Sequence, residues 1–143
     1  MCIRYITMAL ALSLFGCATA PQSYSFEKSK TSTHSYDEVW ENITEFFASH
    51  NIPVKNIAKD SGVIYAETTR FGNDIADCGS PGIMIVRGRQ ADFNVFVKHT
   101  AAAPTVTVNS HFTEVRAFEQ NVVKVECNSK GVLEREILSA VGN

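Results

Sequence analysis

Ser35-Tyr36-Asp37-Glu38-Val39-Trp40-Glu41-Asn42-Ile43-Thr44-Glu45-Phe46-Phe47-Ala48-Ser49-His50 carries the strongest local signal in the chain. Tyr36, Val39, Trp40, Ile43, Phe46 and Phe47 recur at helical spacing, and Glu41, Asn42, Thr44, Glu45 and Ser49 take the opposite side. Ser35 followed by Glu38 is a capping box, in which each side chain satisfies a backbone N–H that the first turn leaves unpaired. Asp37 and Glu38 suit the positive end of the helix dipole and His50 the negative end. Pro53 forbids continuation. A helix lying on a bilayer surface would show Lys and Arg on its polar face. This one is acidic there, so its aromatic stripe is expected to cover a sheet.

Strand signals follow downstream. Ile52 to Ala58 reads as an extended segment with Pro53 at its entry. Lys59-Asp60-Ser61-Gly62 is a turn, and Val63 to Arg70 a strand with Ile64 and Ala66 inward and Tyr65 and Glu67 outward. Residues 71–82 are rich in Gly, Asn, Asp and Pro and form the longest loop. Ile83 to Val86 is expected as a short strand that Arg87-Gly88-Arg89 interrupts. Phe93 to Lys98 resumes it, and Val106, Val108, Ser110 and Phe112 alternate with polar residues. Val123, Val125 and Cys127 share one face of a last strand. From Ser129 a terminal helix is expected, with Val132, Leu133, Ile137, Ala140 and Val141 as its apolar stripe. Glu134, Arg135 and Glu136 take its solvent side, and Gly142 its end. Upstream, Tyr24-Ser25-Phe26 opens a first strand.

Connections of hairpin length make the sheet antiparallel. The expected architecture is α+β: an antiparallel sheet with two helices packed on one face, in the order β-α-β(n)-α, helix-grip-like. Its helix-facing side would bury Ile64, Val106, Val108, Val123 and Val125.

The N-terminus has another character. Arg4 precedes a run from Ile6 to Phe15 that is almost entirely apolar, and Gly16 precedes Cys17. This is the layout of a secretory signal. The run is about a dozen residues, short of the ~20 a spanning helix needs. Leu14-Phe15-Gly16-Cys17 resembles the bacterial lipobox. That resemblance implies cleavage before Cys17 and acylation of its thiol and new amine. Acyl chains contribute ~0.8 kcal/mol per buried CH₂, so several of them anchor a protein without any spanning segment. Ala18 after Cys17 resembles the outer-membrane class of Gram-negative lipoproteins. The expected organisation is a signal peptide over 1–16, a flexible lipid-proximal tether over 17–23, and one domain over 24–143.

The chain holds four cysteines. Cys2 leaves with the signal and Cys17 takes lipid. Cys78 and Cys127 remain, an even pair in an oxidising compartment, and are expected to form a disulfide. Closing the loop between them would stabilise by about 4 kcal/mol in the chain-entropy model.

At 143 residues the chain has the length of one domain, and 45% hydrophobic and 20% charged residues exclude both disorder and an integral membrane bundle. A net charge of −2 argues against nucleic acid as a partner. No Gly-x-Ser-x-Gly, Walker loop or His-Glu-x-x-His is present, and Ser61 lacks an identifiable base. His34, His50, His99 and His111 are scattered without metal-ligand spacing. Asn73, Asp74 and Asp77 do not match a calcium loop and read as solvated loop residues, and His111 as a sheet-surface residue. No catalytic residue, cofactor or metal is expected. Arg70, Arg87 and Arg89 are the candidate partner contacts, suited to an acidic partner or a lipid headgroup.

Tyr36-Asp37-Glu38-Val39-Trp40-Glu41-Asn42-Ile43, followed by Asp60-Ser61-Gly62-Val63-Ile64, resembles BamC-like helix-grip domains and other small envelope lipoproteins. Asp77-Cys78-Gly79 and Glu126-Cys127-Asn128-Ser129 fall outside that resemblance and point to a separate, disulfide-stapled group. The resemblance implies a non-catalytic docking or assembly-accessory module of the outer membrane. Such a module would be anchored through its N-terminal lipid, face the periplasm and meet an envelope protein. A small-ligand carrier is the alternative, with an apolar cavity lined by Phe46, Phe47 and Phe96.

Overall fold

The computed structural model describes residues 18–100 and 102–142. The expected signal peptide and Cys17 lie outside the described residues. Among those described, no helix is long and apolar enough to cross a membrane.

The helix read first, α1 (Tyr36–Ser49), forms as its caps dictate. Ser35 Oγ accepts from the Glu38 amide, and Glu38 returns a carboxylate to the Ser35 amide at 2.9 Å. The Ser35 amide, and then the Ser35 hydroxyl donating at 2.8 Å, hold the Glu38 carboxyl below its ordinary range. The C-terminal stop is made one residue beyond His50. Asn51 takes a left-handed φ of 52°, its amide bonds Ala48 O and the Ile52 amide bonds Phe47 O. This is a Schellman closure, with Ile52 buried beneath it. Pro53 then leads into β2 (Val54–Ala58).

An antiparallel sheet follows. Its strands are β1 (Ser29–Thr31), β2, β3 (Val63–Thr68), β4 (Ala76–Asp77), β5 (Ile85–Lys98), β6 (Thr105–Phe118) and β7 (Asn121–Ser129). The strand order is β2-β3-β5-β6-β7-β4, with β1 paired to the start of β6. A second helix, α2 (Val132–Ala140), ends the fold. The class is α+β, an open seven-stranded antiparallel sheet with two helices. At the β2–β3 turn, a Cβ on Gly62 would stand 2.1 Å from Val97 O, so only glycine admits the close approach to β5.

The core lies between the helices and one face of the sheet. Val39, Ile43 and Phe47 of α1 and Ile137 and Leu138 of α2 meet Ile64, Ala66, Ala91, Phe93, Val95, Val106, Val108 and Phe112. Phe93 and Phe112 touch edge to face at 5.8 Å, and Phe71 closes on Phe112 at 5.1 Å. Each fully buried side chain of this kind contributes about 1.5–3 kcal/mol.

Several expectations are corrected. The first strand is Ser29–Thr31, a polar segment recruited by the free edge of β6, and residues 24–26 are not a strand. Arg87-Gly88-Arg89 does not interrupt the sheet. β5 runs through it with a bulge between Val86 and Gly88. Val123 is 41% exposed and Val125 only half-buried, because β7 starts beyond the reach of the helices. Glu134 is fully buried rather than solvent-facing and receives a hydrogen bond from Ser110 Oγ. Phe96 is 42% exposed on the outer face of the sheet, so it does not line a cavity with Phe46 and Phe47.

Candidate functional site

β5, β6 and β7 extend past the helix layer as a three-stranded tongue. Its root is held by an ion cluster and a disulfide. Glu114 and Arg116 of β6 keep the inward phase of Val106, Val108 and Phe112, and both are buried. Glu114 accepts from Arg116 Nε at 2.7 Å and from Arg89 Nε at 2.8 Å. Arg116 also donates to the carbonyls of Cys78, Gly79 and Ser80. Arg89 donates to Phe71 O at 3.1 Å and Asn73 Oδ1 at 2.7 Å, and its guanidinium lies over the Phe71 ring. One carboxylate thus orients two guanidinium groups, and these bind the loop carbonyls that no strand satisfies.

Cys78 is bonded to Cys127, as expected from their even count. The disulfide pins the loop onto β7, beside the two-residue pairing of β4 with Asn128 and Ser129. The segment just after Cys17 is fastened to the same loop. The Ser80 amide bonds both the carbonyl and the hydroxyl of Thr19, at 3.1 and 3.0 Å. The Gln22 amide bonds Asp77 Oδ2 at 3.0 Å, and the Gly79 amide bonds Asp77 Oδ1 at 2.7 Å. The two backbone amides, Gly79 foremost and then Gln22, hold the Asp77 carboxyl below its ordinary range. Gly79 has a φ of 69°, and a Cβ there would stand 2.0 Å from Thr19 O. Residues 18–23 lack regular structure, as a tether would, but Thr19 to Gln22 are docked rather than free.

Beyond this root the tongue carries apolar side chains in solvent. Ile83, Ile85, Val86, Phe118, Val122 and Val123 are exposed, Ile83 and Val122 by more than 60%. The register places Ile85 beside Ala117 and Val122 on one face, and Val86 beside Arg116 and Val123 on the other.

The expected contact arginines take different duties. Arg89 is turned inward and committed to Glu114. Arg70 is exposed beside a polar groove of about 450 Å³ that Lys55, Glu67 and Gln90 also line. Arg87 is the exposed extra residue of the β5 bulge. Glu114 and Arg116 are buried charged residues that sequence reasoning did not single out, and Glu134 is one that it placed in solvent.

The outer face of the sheet carries a polar row. Tyr65 donates to Glu67 at 2.6 Å, and His111 lies between Asp92 and Glu126. The bond to Glu67, with added desolvation and the nearby Asp92 charge, pushes the Tyr65 phenol up to about 12. Among the described residues, no group of His, Cys, Asp and Glu is arranged to hold a metal ion. No protein-family model matches this chain, and no curated protein is similar to it.

Proposed function

We propose that this chain is a lipid-anchored envelope protein, acylated on Cys17. In this reading it serves at the outer membrane, facing the periplasm, as a non-catalytic binding or assembly-accessory module. The observation that carries this is the lipobox-like Leu14-Phe15-Gly16-Cys17 joined, within two residues, to a domain whose loop is closed by a disulfide. A disulfide belongs to an oxidising compartment, which is where a secretory signal delivers a chain. The resemblance of residues 36–43 and 60–64 to BamC-like domains points the same way. The tongue supplies the exposed apolar surface that an interaction module needs and that single-chain proteins otherwise keep small.

Labelled palmitate is the test. Cells making the full chain should incorporate label and place the protein in the outer-membrane fraction. A Cys17→Ala variant should incorporate none and accumulate as precursor. An unlabelled chain with an intact N-terminus would overturn the proposal.

A further inference from the structure

We infer that the tongue is a second membrane contact: the apolar side chains behind its polar turn, Glu119 to Asn121, enter the interface of the same bilayer that holds the Cys17 acyl chains. The inference rests on the anchor reading above and adds an orientation to it.

The first argument is where the undescribed chain ends. Thr19 stands two residues after Cys17, a span of at most about 7 Å. Thr19 is bonded to Ser80, and Ser80 O receives Arg116 Nη1. Arg116 stands two residues before Phe118, the last residue of β6, and Ser80 three residues before Ile83. A lipid on Cys17 therefore emerges beside the base of the tongue. The docked segment Thr19–Gln22 leaves it little freedom to go elsewhere.

The second argument is the distribution of apolar side chains. They project from both faces of a thin ribbon: Ile85 and Val122 on one, Val86 and Val123 on the other. A flat protein surface, or the face of a second copy, covers one side of a ribbon. A bilayer interface is soft and encloses both. Arg87 and Lys124 are exposed on the same ribbon and would meet anionic headgroups, with the exposed Glu119 and Glu126 left to the aqueous side. The ion cluster and disulfide make the tongue rigid enough to be presented rather than folded back.

The test uses the full chain purified from membranes, with acylation of Cys17 read by mass of its N-terminal peptide. It is placed in phosphatidylethanolamine–phosphatidylglycerol vesicles containing brominated acyl chains. One sample carries Val122→Trp at the tongue. A second carries Lys98→Trp at the far end of β5, about 40 Å from Val86 at ~3.3 Å per residue. Trp40, buried in the core, provides a constant background. The expected result is blue-shifted emission with loss of intensity for Val122→Trp and neither change for Lys98→Trp. Acylated Cys17 with unquenched Val122→Trp would overturn the inference and leave the anchor standing. A tongue-to-tongue crosslink in that sample would give the patch to a second copy instead. An unmodified Cys17 would overturn the anchor reading and this inference with it.

Discussion

The β5–β6 hairpin passes through two different environments. From Ala91 to Val97 on β5, and from Val106 to Phe112 on β6, the inner face is apolar and buried but for Ser110, and is roofed by α1 and α2. From Ile85 to Arg89 and from Glu114 to Phe118 the roof is a loop. There the inner face holds Arg89, Glu114 and Arg116 in place of a hydrophobic layer. The first half is stabilised by area removed from water, which acts without direction. The second half has little such area and depends on directional bonds and a covalent cross-link. The lesson is that a strand outrunning its helices keeps its shape only if something else fixes it, and that its outer apolar residues are then left for another surface.

Removing the cross-link should break this contrast hardest. Cys78→Ser with Cys127→Ser reopens a loop with a sequence separation of 49, which the chain-entropy model puts at about 4 kcal/mol. Urea unfolding should show that loss. Native-state hydrogen exchange should place the fastest new opening at residues 72–80 and 116–127, with Val95 and Val108 still protected. Uniform loss of protection would mean the two halves unfold as one unit.

The ion cluster sharpens the comparison with a slightly smaller effect. Glu114→Gln removes the one charge that faces two guanidinium groups, and Arg116 is 5% exposed at its side chain. Breaking a buried pair in this way leaves an uncompensated charge and should cost about 3 kcal/mol. The Arg89 and Arg116 variants should be non-additive with it, because all three share one network. Additive losses would show that each arginine is held by its loop carbonyls alone.

How much of this was legible follows from what each signal encodes. For α1, the cap, the stripe and the stop are local, so Ser35, Glu38, Val39, Trp40, Ile43, Phe46 and Phe47 could be placed from spacing alone. On β6 the pleat runs on from Val106 to Arg116, but the hydropathy inverts after Phe112, with Glu114 and Arg116 inward and Val115 outward, so the pattern pointed away from their burial. Their partners were not legible either, because Arg89 and the Cys78–Ser80 carbonyls come from distant parts of the chain. Alternation assigned Val123 to the inner face correctly, but a period carries no information on how far the helices extend. Gly88 resembled a break and is part of a bulge, a difference that only the pairing partner decides. The docking of Thr19 and Gln22 joins backbone amides and single side chains across more than fifty residues, which leaves no signature in a local pattern.

Glu134 offers the smallest and most discriminating test. Three consecutive charged residues, Glu134-Arg135-Glu136, spread over about 200° of the helix circumference, since neighbours stand about 100° apart around its axis. Glu134 is the one that turns in. Ser110 donates to Oε1, and Oε2 has no hydrogen-bond partner among the described residues. Its place in the first turn of α2 brings it to the positive end of the helix dipole, which partly offsets its burial. Glu114 nearby shows what full compensation looks like. Glu134→Gln keeps the shape and the acceptor for Ser110 while removing the charge. The amide nitrogen that replaces Oε2 is still a buried polar group, so the gain in stability is that of removing an uncompensated charge alone, about 1 kcal/mol. A loss of stability in urea would instead show that the attraction of the charge to the helix dipole outweighs the cost of its burial. The helix dipole would then compensate the Glu134 charge as the two arginines compensate that of Glu114.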